Sequence, residues 1–169
     1  MTLEQPLAVR PPGSLAEAAE AHLDDVLGYL LYLTRDRETA EDLASSTFEK
    51  ALRLWNRFDP TRGSARAWLL GIARTTALDW FRAESRRRKR EESAALPERV
   101  EESFAEGLSP ELEAGLAALS AGEREVLALR VVLELDGDTT ARVLGISPTA
   151  VSTRLSRALK RLEEKVNEG

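Results

Sequence analysis

Residues 138–162, DTTARVLGISPTAVSTRLSRALKRL, carry the punctuation that decides the fold. Two helical runs flank Gly145-Ile146-Ser147. Gly145 suits the left-handed conformation that ends a helix, Ser147 suits the cap of the next, and Pro148 suits its first position. The pattern predicts a short helix over Asp138–Leu144, a tight turn, and a long helix from Pro148. Ala141, Gly145 and Val151 fall where a helix-turn-helix needs a small residue, a turn and a buried aliphatic side chain. On the second helix Val151, Leu155, Ala158 and Leu162 share one face and should pack inward. Thr149, Ser152, Thr153, Arg154, Ser156, Arg157 and Lys160 lie outside that stripe. Short hydroxyls and arginines suit base edges and phosphates in a major groove. An amphipathic helix with a merely solvated basic face would show the same pattern.

Upstream, each helix start has its own chemical marker. Ser120-Ala-Gly-Glu123 has capping-box form and opens a helix through Val126, Leu127 and Arg130 toward Leu133. Ser109-Pro110 is a cap followed by proline, with Leu112, Leu116 and Leu119 after it. Ser14-Leu-Ala-Glu17 is a second capping-box match, ahead of Leu23, Val26, Leu27, Leu30 and Leu31 at helical spacing. A further helix is expected from about Asp36 to Phe58, with Ala40, Leu43, Thr47, Ala51 and Trp55 on one side. Phe58-Asp-Pro-Thr-Arg-Gly63 is rich in helix breakers. Ser64 caps a third long helix, Ala65 to about Arg90, apolar around most of its girth between Trp68 and Phe81; such a helix must bury more than one face.

The chain therefore reads as all-α: two small helical domains joined by a linker. The predicted divisions are a disordered leader at 1–13, a helical bundle at 14–90, an acidic linker at 91–108 and a helix-turn-helix unit at 109–169. The overall net charge of −5 conceals an alternation of sign. From Arg82 to Arg90 six basic residues face Glu84 alone, net +5. From Glu91 to Glu113 eight glutamates face Arg99, net −7, and from Ser147 to Val166 the balance returns to +3. Two basic surfaces flank an acidic connector.

Composition narrows the function. At 169 residues with 43% apolar content, the chain can bury real cores but cannot house a large multidomain machine. The absence of cysteine excludes disulfides and thiolate chemistry, and a single histidine, His22, leaves no Ser-His or His-rich metal constellation. Glu41 and Asp42 have no nucleophile, phosphate loop or metal partner set beside them. No cofactor, no metal and no enzymatic activity are expected. No apolar run approaches the roughly 20 residues that span a bilayer, and the first residues lack a secretory pattern. A cytoplasmic protein without membrane insertion is the expectation.

The whole chain resembles a known family. Ala40-Glu-Asp-Leu43, Thr47-Phe48, Leu54-Trp55, Phe58-Asp-Pro60, Arg62-Gly63, Ala67-Trp-Leu-Leu-Gly-Ile-Ala-Arg74 and Asp79-Trp-Phe-Arg82 resemble region 2 of extracytoplasmic-function (ECF, group IV) sigma factors of bacterial RNA polymerase. Leu119-Ser120, Glu123-Arg-Glu-Val-Leu127, Leu129-Arg130, Leu144-Gly-Ile-Ser147 and Val151-Ser-Thr-Arg-Leu-Ser-Arg-Ala158 resemble region 4. The likeness runs from about His22 to Val166, with both halves in the family's order.

The resemblance implies the following partners and sites. Region 2 would grip the β′ clamp helices of the polymerase core through Glu41, Asp42, Ser45 and Glu49. It would hold the melted minus-ten element, as single strand, with Phe58, Asp59, Arg62, Ser64, Arg74, Arg82 and Arg86. Region 4 would sit on the β flap and read the minus-thirty-five duplex with Thr149, Ser152, Thr153, Arg154, Ser156, Arg157 and Lys160. The linker would thread toward the RNA exit path, and an anti-sigma factor is a candidate further partner. Two departures stand out. Ala44-Ser45-Ser46 replaces a more polar and acidic run, which bears on core binding. Gly137 and Thr140 occupy positions where relatives carry larger apolar residues, which should weaken the start and packing of that helix.

Other readings fit parts of the pattern. An autonomous helix-turn-helix regulator would bind duplex DNA alone, as a dimer on a palindrome; an all-helical adaptor would not touch DNA. Trp55, Trp68 and Trp80, at helical spacing, read as core residues before they read as base-stacking ones. Arg86–Arg90 also suits a solvated helix end favoured by the helix dipole, and His22 reads as a surface or cap residue.

Overall fold

The computed structural model describes residues 13–91 and 107–168. The expected leader, apart from Gly13, and positions 92–106 of the expected linker lie outside the described residues, as does Gly169. Among the described residues all regular structure is helical, and no helix is long and apolar enough to cross a membrane.

Side-chain caps set the helix starts. Ser14 accepts from the Glu17 amide ahead of α1 (Leu15–Thr34). The reciprocal half of that capping box is not made: Glu17 reaches one residue further back, accepting from the Gly13 amide at 3.1 Å. Before α2 (Arg37–Leu54), Asp36 makes no cap bond; its carboxylate accepts from the Thr39 hydroxyl instead, at 2.5 Å. The expected run to Phe58 tightens into a 3₁₀ turn over Trp55–Arg57. Ser64 caps α3 (Ala65–Arg90), whose limits match the expectation.

α1, α2 and α3 pack on one another as a bundle. Val26, Tyr29 and Leu30 meet Leu69, Leu70 and Ala73, with Ala40, Ala44 and Ala51 of α2. Alanine along α2 allows close helix approach. Burying each large aliphatic side chain here contributes roughly 1.5–3 kcal/mol. Thr47 is fully buried and donates to the Leu43 carbonyl at 2.7 Å, so its hydroxyl carries no desolvation debt.

The C-terminal unit comprises α4 (Pro110–Ala118), α5 (Ala121–Leu127), α6 (Gly137–Leu144) and α7 (Pro148–Asn167). α7 touches the other three. The Ser120–Glu123 capping box is complete in both directions. The helix expected to continue to Leu133 instead widens into a π-helical turn over Ala128–Val132, with the Leu133 amide donating to the Ala128 carbonyl at 2.9 Å. That widening keeps Leu129 and Leu133 in the core while Val131 and Val132 face solvent. α6 begins one residue earlier than expected, because Asp136 accepts from the Thr139 amide at 2.7 Å and Gly137 takes the first helical position. α3 packs against α6, so its second apolar face is covered by the other half of the chain.

Candidate nucleic-acid interface

The turn between α6 and α7 is held by backbone chemistry. Gly145 sits at φ +66°, its amide on the Arg142 carbonyl, while the Ile146 amide reaches the Ala141 carbonyl at 3.1 Å. This paired closure is the Schellman arrangement, which glycine adopts without a Cβ clash. Ser147 then caps α7 by accepting from the Ala150 amide. Val151 and Ala158 are buried under the rest of the unit. Thr149, Ser152, Thr153, Ser156, Arg157 and Lys160 are all exposed. Arg154 is half-buried, and its guanidinium lies against Gly122 at the start of α5. Arg161 pairs with Glu123 at 3.1 Å, tying α7 to the capping box of α5.

On the N-terminal bundle Glu41, Asp42, Ser45 and Glu49 are exposed along one side of α2. Arg37 flanks Glu41 at 3.8 Å. Asp42, Asp36, Glu38 and Ser46 line a cavity of about 630 Å³ beside Trp80. The Phe58–Ser64 loop is ordered at both ends. Phe58 stacks on Trp55 with ring centroids 5.0 Å apart and leans on Trp68 at 5.4 Å. Asp59 accepts from the Thr61 hydroxyl and amide at 2.6 and 2.9 Å, bonds that hold its carboxyl below the usual range. Arg62 extends into solvent, 88% exposed.

The basic residues of α3 divide. Arg82 and Arg86 are exposed on its distal half. Arg74 is set apart from them: its Nε donates to Glu125 of α5 at 3.0 Å, and its side chain is only 23% exposed. Arg87 is tethered at 2.9 Å to both Glu84 and Glu91, which raise its pKa. Trp55 and Trp68 belong to the aromatic cluster under the loop, and Trp80 meets Phe81 edge-on at 5.1 Å. His22 lies within α1, half-buried; desolvation lowers its pKa, opposed by Asp25 and aided by Arg66.

Several connecting residues were invisible in the sequence. Glu125 is buried between the halves, accepting from Tyr29 Oη and Arg74 Nε. Arg66 bonds Asp25 at 2.7 Å and the Leu133 carbonyl. Arg142 of α6 donates to the Arg62 carbonyl at 2.9 Å. No spacing rule links these positions, which lie 41 to 96 residues apart.

Residues 18–87 match the sequence family described as Sigma-70 region 2, and residues 109–162 match Sigma-70, region 4. The chain is 34% identical over 163 residues to the RNA polymerase sigma factor YlaC of Bacillus subtilis, covering 91% of both. This chain belongs to the ECF sigma factors. It is likewise 34% identical over 156 residues to ECF RNA polymerase sigma factor SigC of Mycobacterium tuberculosis, covering 89% of this chain and 83% of the relative. Among solved structures its fold resembles the sigma factor RpoE of Bartonella quintana, crystallised with the anti-sigma factor NepR. That match has a TM-score of 0.77 at 22% identity, over 90% of this chain and 96% of the other. CnrH in complex with the cytosolic domain of CnrY gives 0.68 at 23% identity, covering 91% and 88%. As a sigma factor the protein directs RNA polymerase to promoters and so starts transcription at chosen sites. Region 4 contains the helix-turn-helix. The reading as an autonomous dimeric regulator loses its ground, because the N-terminal half is region 2 and not a dimerisation domain.

Proposed function

We propose that region 2 spans residues 14–90, region 4 spans 109–169, and the acidic stretch 91–108 links them along the polymerase. α7 reads the minus-thirty-five duplex, and the exposed polar and basic face opposite Val151 and Ala158 is the observation that carries this reading. Arg157 and Lys160 meet base edges or phosphates, while Thr149, Ser152, Thr153 and Ser156 supply short hydroxyl contacts. Arg154, half-buried against α5, orients the helix as well as adding charge.

The Phe58–Ser64 loop receives the melted minus-ten strand, and Arg82 and Arg86 follow its phosphates along α3. Unstacking a base costs a few kcal/mol, which contacts to exposed bases and phosphates offset. Glu41, Asp42, Ser45 and Glu49 face the basic clamp of the core enzyme, where their exposure leaves the charge available for pairing. Catalysis stays with the polymerase; the sigma factor works in the cytoplasm by binding alone.

Run-off transcription and gel shift, each with and without core polymerase, test this reading. Promoter DNA should shift only when core is present. Replacing Glu41 and Asp42 with lysine should abolish co-purification with core while leaving helical circular dichroism unchanged. Core binding that survives this charge reversal at about 0.1 M salt, where exposed charges act over about 10 Å, would place the polymerase contact elsewhere.

A further inference from the structure

The cations of α7 between Ser152 and Arg161 are Arg154, Arg157, Lys160 and Arg161, and they fall into two kinds. Arg157 and Lys160 are exposed and make no ion pair among the described residues. Arg154 and Arg161 share the flank beside the buried Val151 and Ala158, and both lean on the start of α5. Arg154 Nη1 would stand 3.6 Å from a Cβ placed on Gly122, and Arg161 Nη1 donates to Glu123 Oε1 at 3.1 Å. Glu123 is only 9% exposed. Its Oε1 also accepts from the Ser120 amide at 3.3 Å, which closes the capping box. Its Oε2 is buried and has no hydrogen-bond partner. A buried carboxylate with one oxygen used twice and the other empty is short of a donor, and the Arg154 guanidinium rests on the residue just before it.

We infer that Glu123 is a positioning residue for promoter reading: it holds Arg154 and Arg161 against α5 and leaves Arg157 and Lys160 as the cations that meet DNA. The inference rests on the assignment of α7 to the minus-thirty-five duplex. Arg161 takes Oε1, and Oε2 is the acceptor that Arg154 completes. The two tethers lie about 10 Å apart along the helix, so they fix its rotation about its own axis and with it the direction of the polar face. They also set the balance between affinity and selectivity. A cation that reaches a phosphate strengthens binding to every sequence alike, and each such contact steepens the logarithmic salt dependence by about 0.9. A side chain aimed at a base edge discriminates. With all four cations loose, α7 would grip DNA more tightly and choose less well. The charge on Glu123 is what this role needs, since glutamine at the same position still closes a capping box but offers a single acceptor oxygen and no charge.

Glu123→Gln separates the cap from the tether, in holoenzyme reconstituted with core polymerase. One readout is in vitro transcription from a template library randomised upstream of a fixed minus-ten element, scored as enrichment of the best upstream sequence over the average. The other is the salt slope of promoter binding. The variant should lose enrichment by about fivefold or more, the lower end for one base contact. Its salt slope should steepen by about one to two, as the released arginines reach phosphates. Unchanged enrichment and slope, with native circular dichroism, overturn the inference and leave Glu123 as a cap alone. A parent holoenzyme that enriches no upstream sequence instead overturns the assignment of α7 to the minus-thirty-five duplex, so the two failures are distinct. Should Glu123→Gln fail to fold, Arg161→Met decides. Its slope and enrichment should match the parent, because a held arginine does not reach DNA. A slope shallower by about one would show Arg161 on a phosphate and overturn the tether.

Discussion

Gly115 of α4 lies directly beneath Leu162 of α7: a Cβ placed on the glycine would stand 2.7 Å from Leu162 Cδ1. The helices meet there because nothing projects from position 115. A larger side chain must displace Leu162 from a site where it packs against the core. Gly115→Leu should therefore destabilise the protein by about 1–3 kcal/mol through overpacking, despite leucine's better helix propensity. Urea denaturation checks this, and an unchanged midpoint would mean that α4 and α7 separate freely.

Thr140 tests the opposite kind of defect. It is fully buried in α6, and its hydroxyl has no hydrogen-bond partner. Thr140→Val keeps the shape and removes the unpaired group. An unsatisfied buried polar atom costs about 1–3 kcal/mol, so the variant should be more stable, with a higher urea midpoint and unchanged slope. A lower midpoint would show that the hydroxyl is satisfied in solution.

Arg157 and Arg161 separate reading from support. Arg157 is exposed on the polar face of α7, whereas Arg161 pairs with Glu123. Arg157→Ala should lower promoter-specific transcription by an amount equivalent to about 1–3 kcal/mol, the range for a good base contact. Arg161→Ala should change promoter choice little. Reporter assays on a promoter panel decide, and equal, sequence-independent losses from both would assign Arg157 to the backbone.

Both tyrosines of the chain are buried, so ultraviolet titration reads them without interference from others. Burial pushes Tyr32 up to about 12, with Arg124 opposing. Tyr29 is raised as well, by burial first and then by Glu125. An acid whose folded pKa exceeds its unfolded value near 10 favours folding at lower pH, so this contribution is intact below pH 10 and is lost as pH rises above it. Native protein at pH 10.5 should show little tyrosinate absorbance near 295 nm, and the absorbance should appear together with unfolding. Half-ionised tyrosine in a folded protein at that pH would contradict the burial of both rings.

The local grammar of the chain was legible without coordinates. Ser64, Ser109, Ser120 and Ser147 each accept from an amide three residues ahead, and Gly145 takes the left-handed turn. These outcomes depend on atoms a few bonds apart, so residue type and spacing suffice to place helices and the inward stripe of α7. Where two local solutions were nearly equal, the sequence did not choose. Glu17 bonded Gly13 instead of closing its box, and the segment after Leu127 relaxed into a π turn. The exposed acidic side of α2 and the polar face of α7 followed from periodicity, which sorts residues by distance from a core. Arg74 did not follow. Arg82 and Arg86 share its helix and charge, yet only Arg74 meets a buried carboxylate, because α5 arrives beside it from 51 residues away. A cation's partner is set by which element packs within about 4 Å, and that distance is decided by tertiary packing rather than by neighbours along the chain.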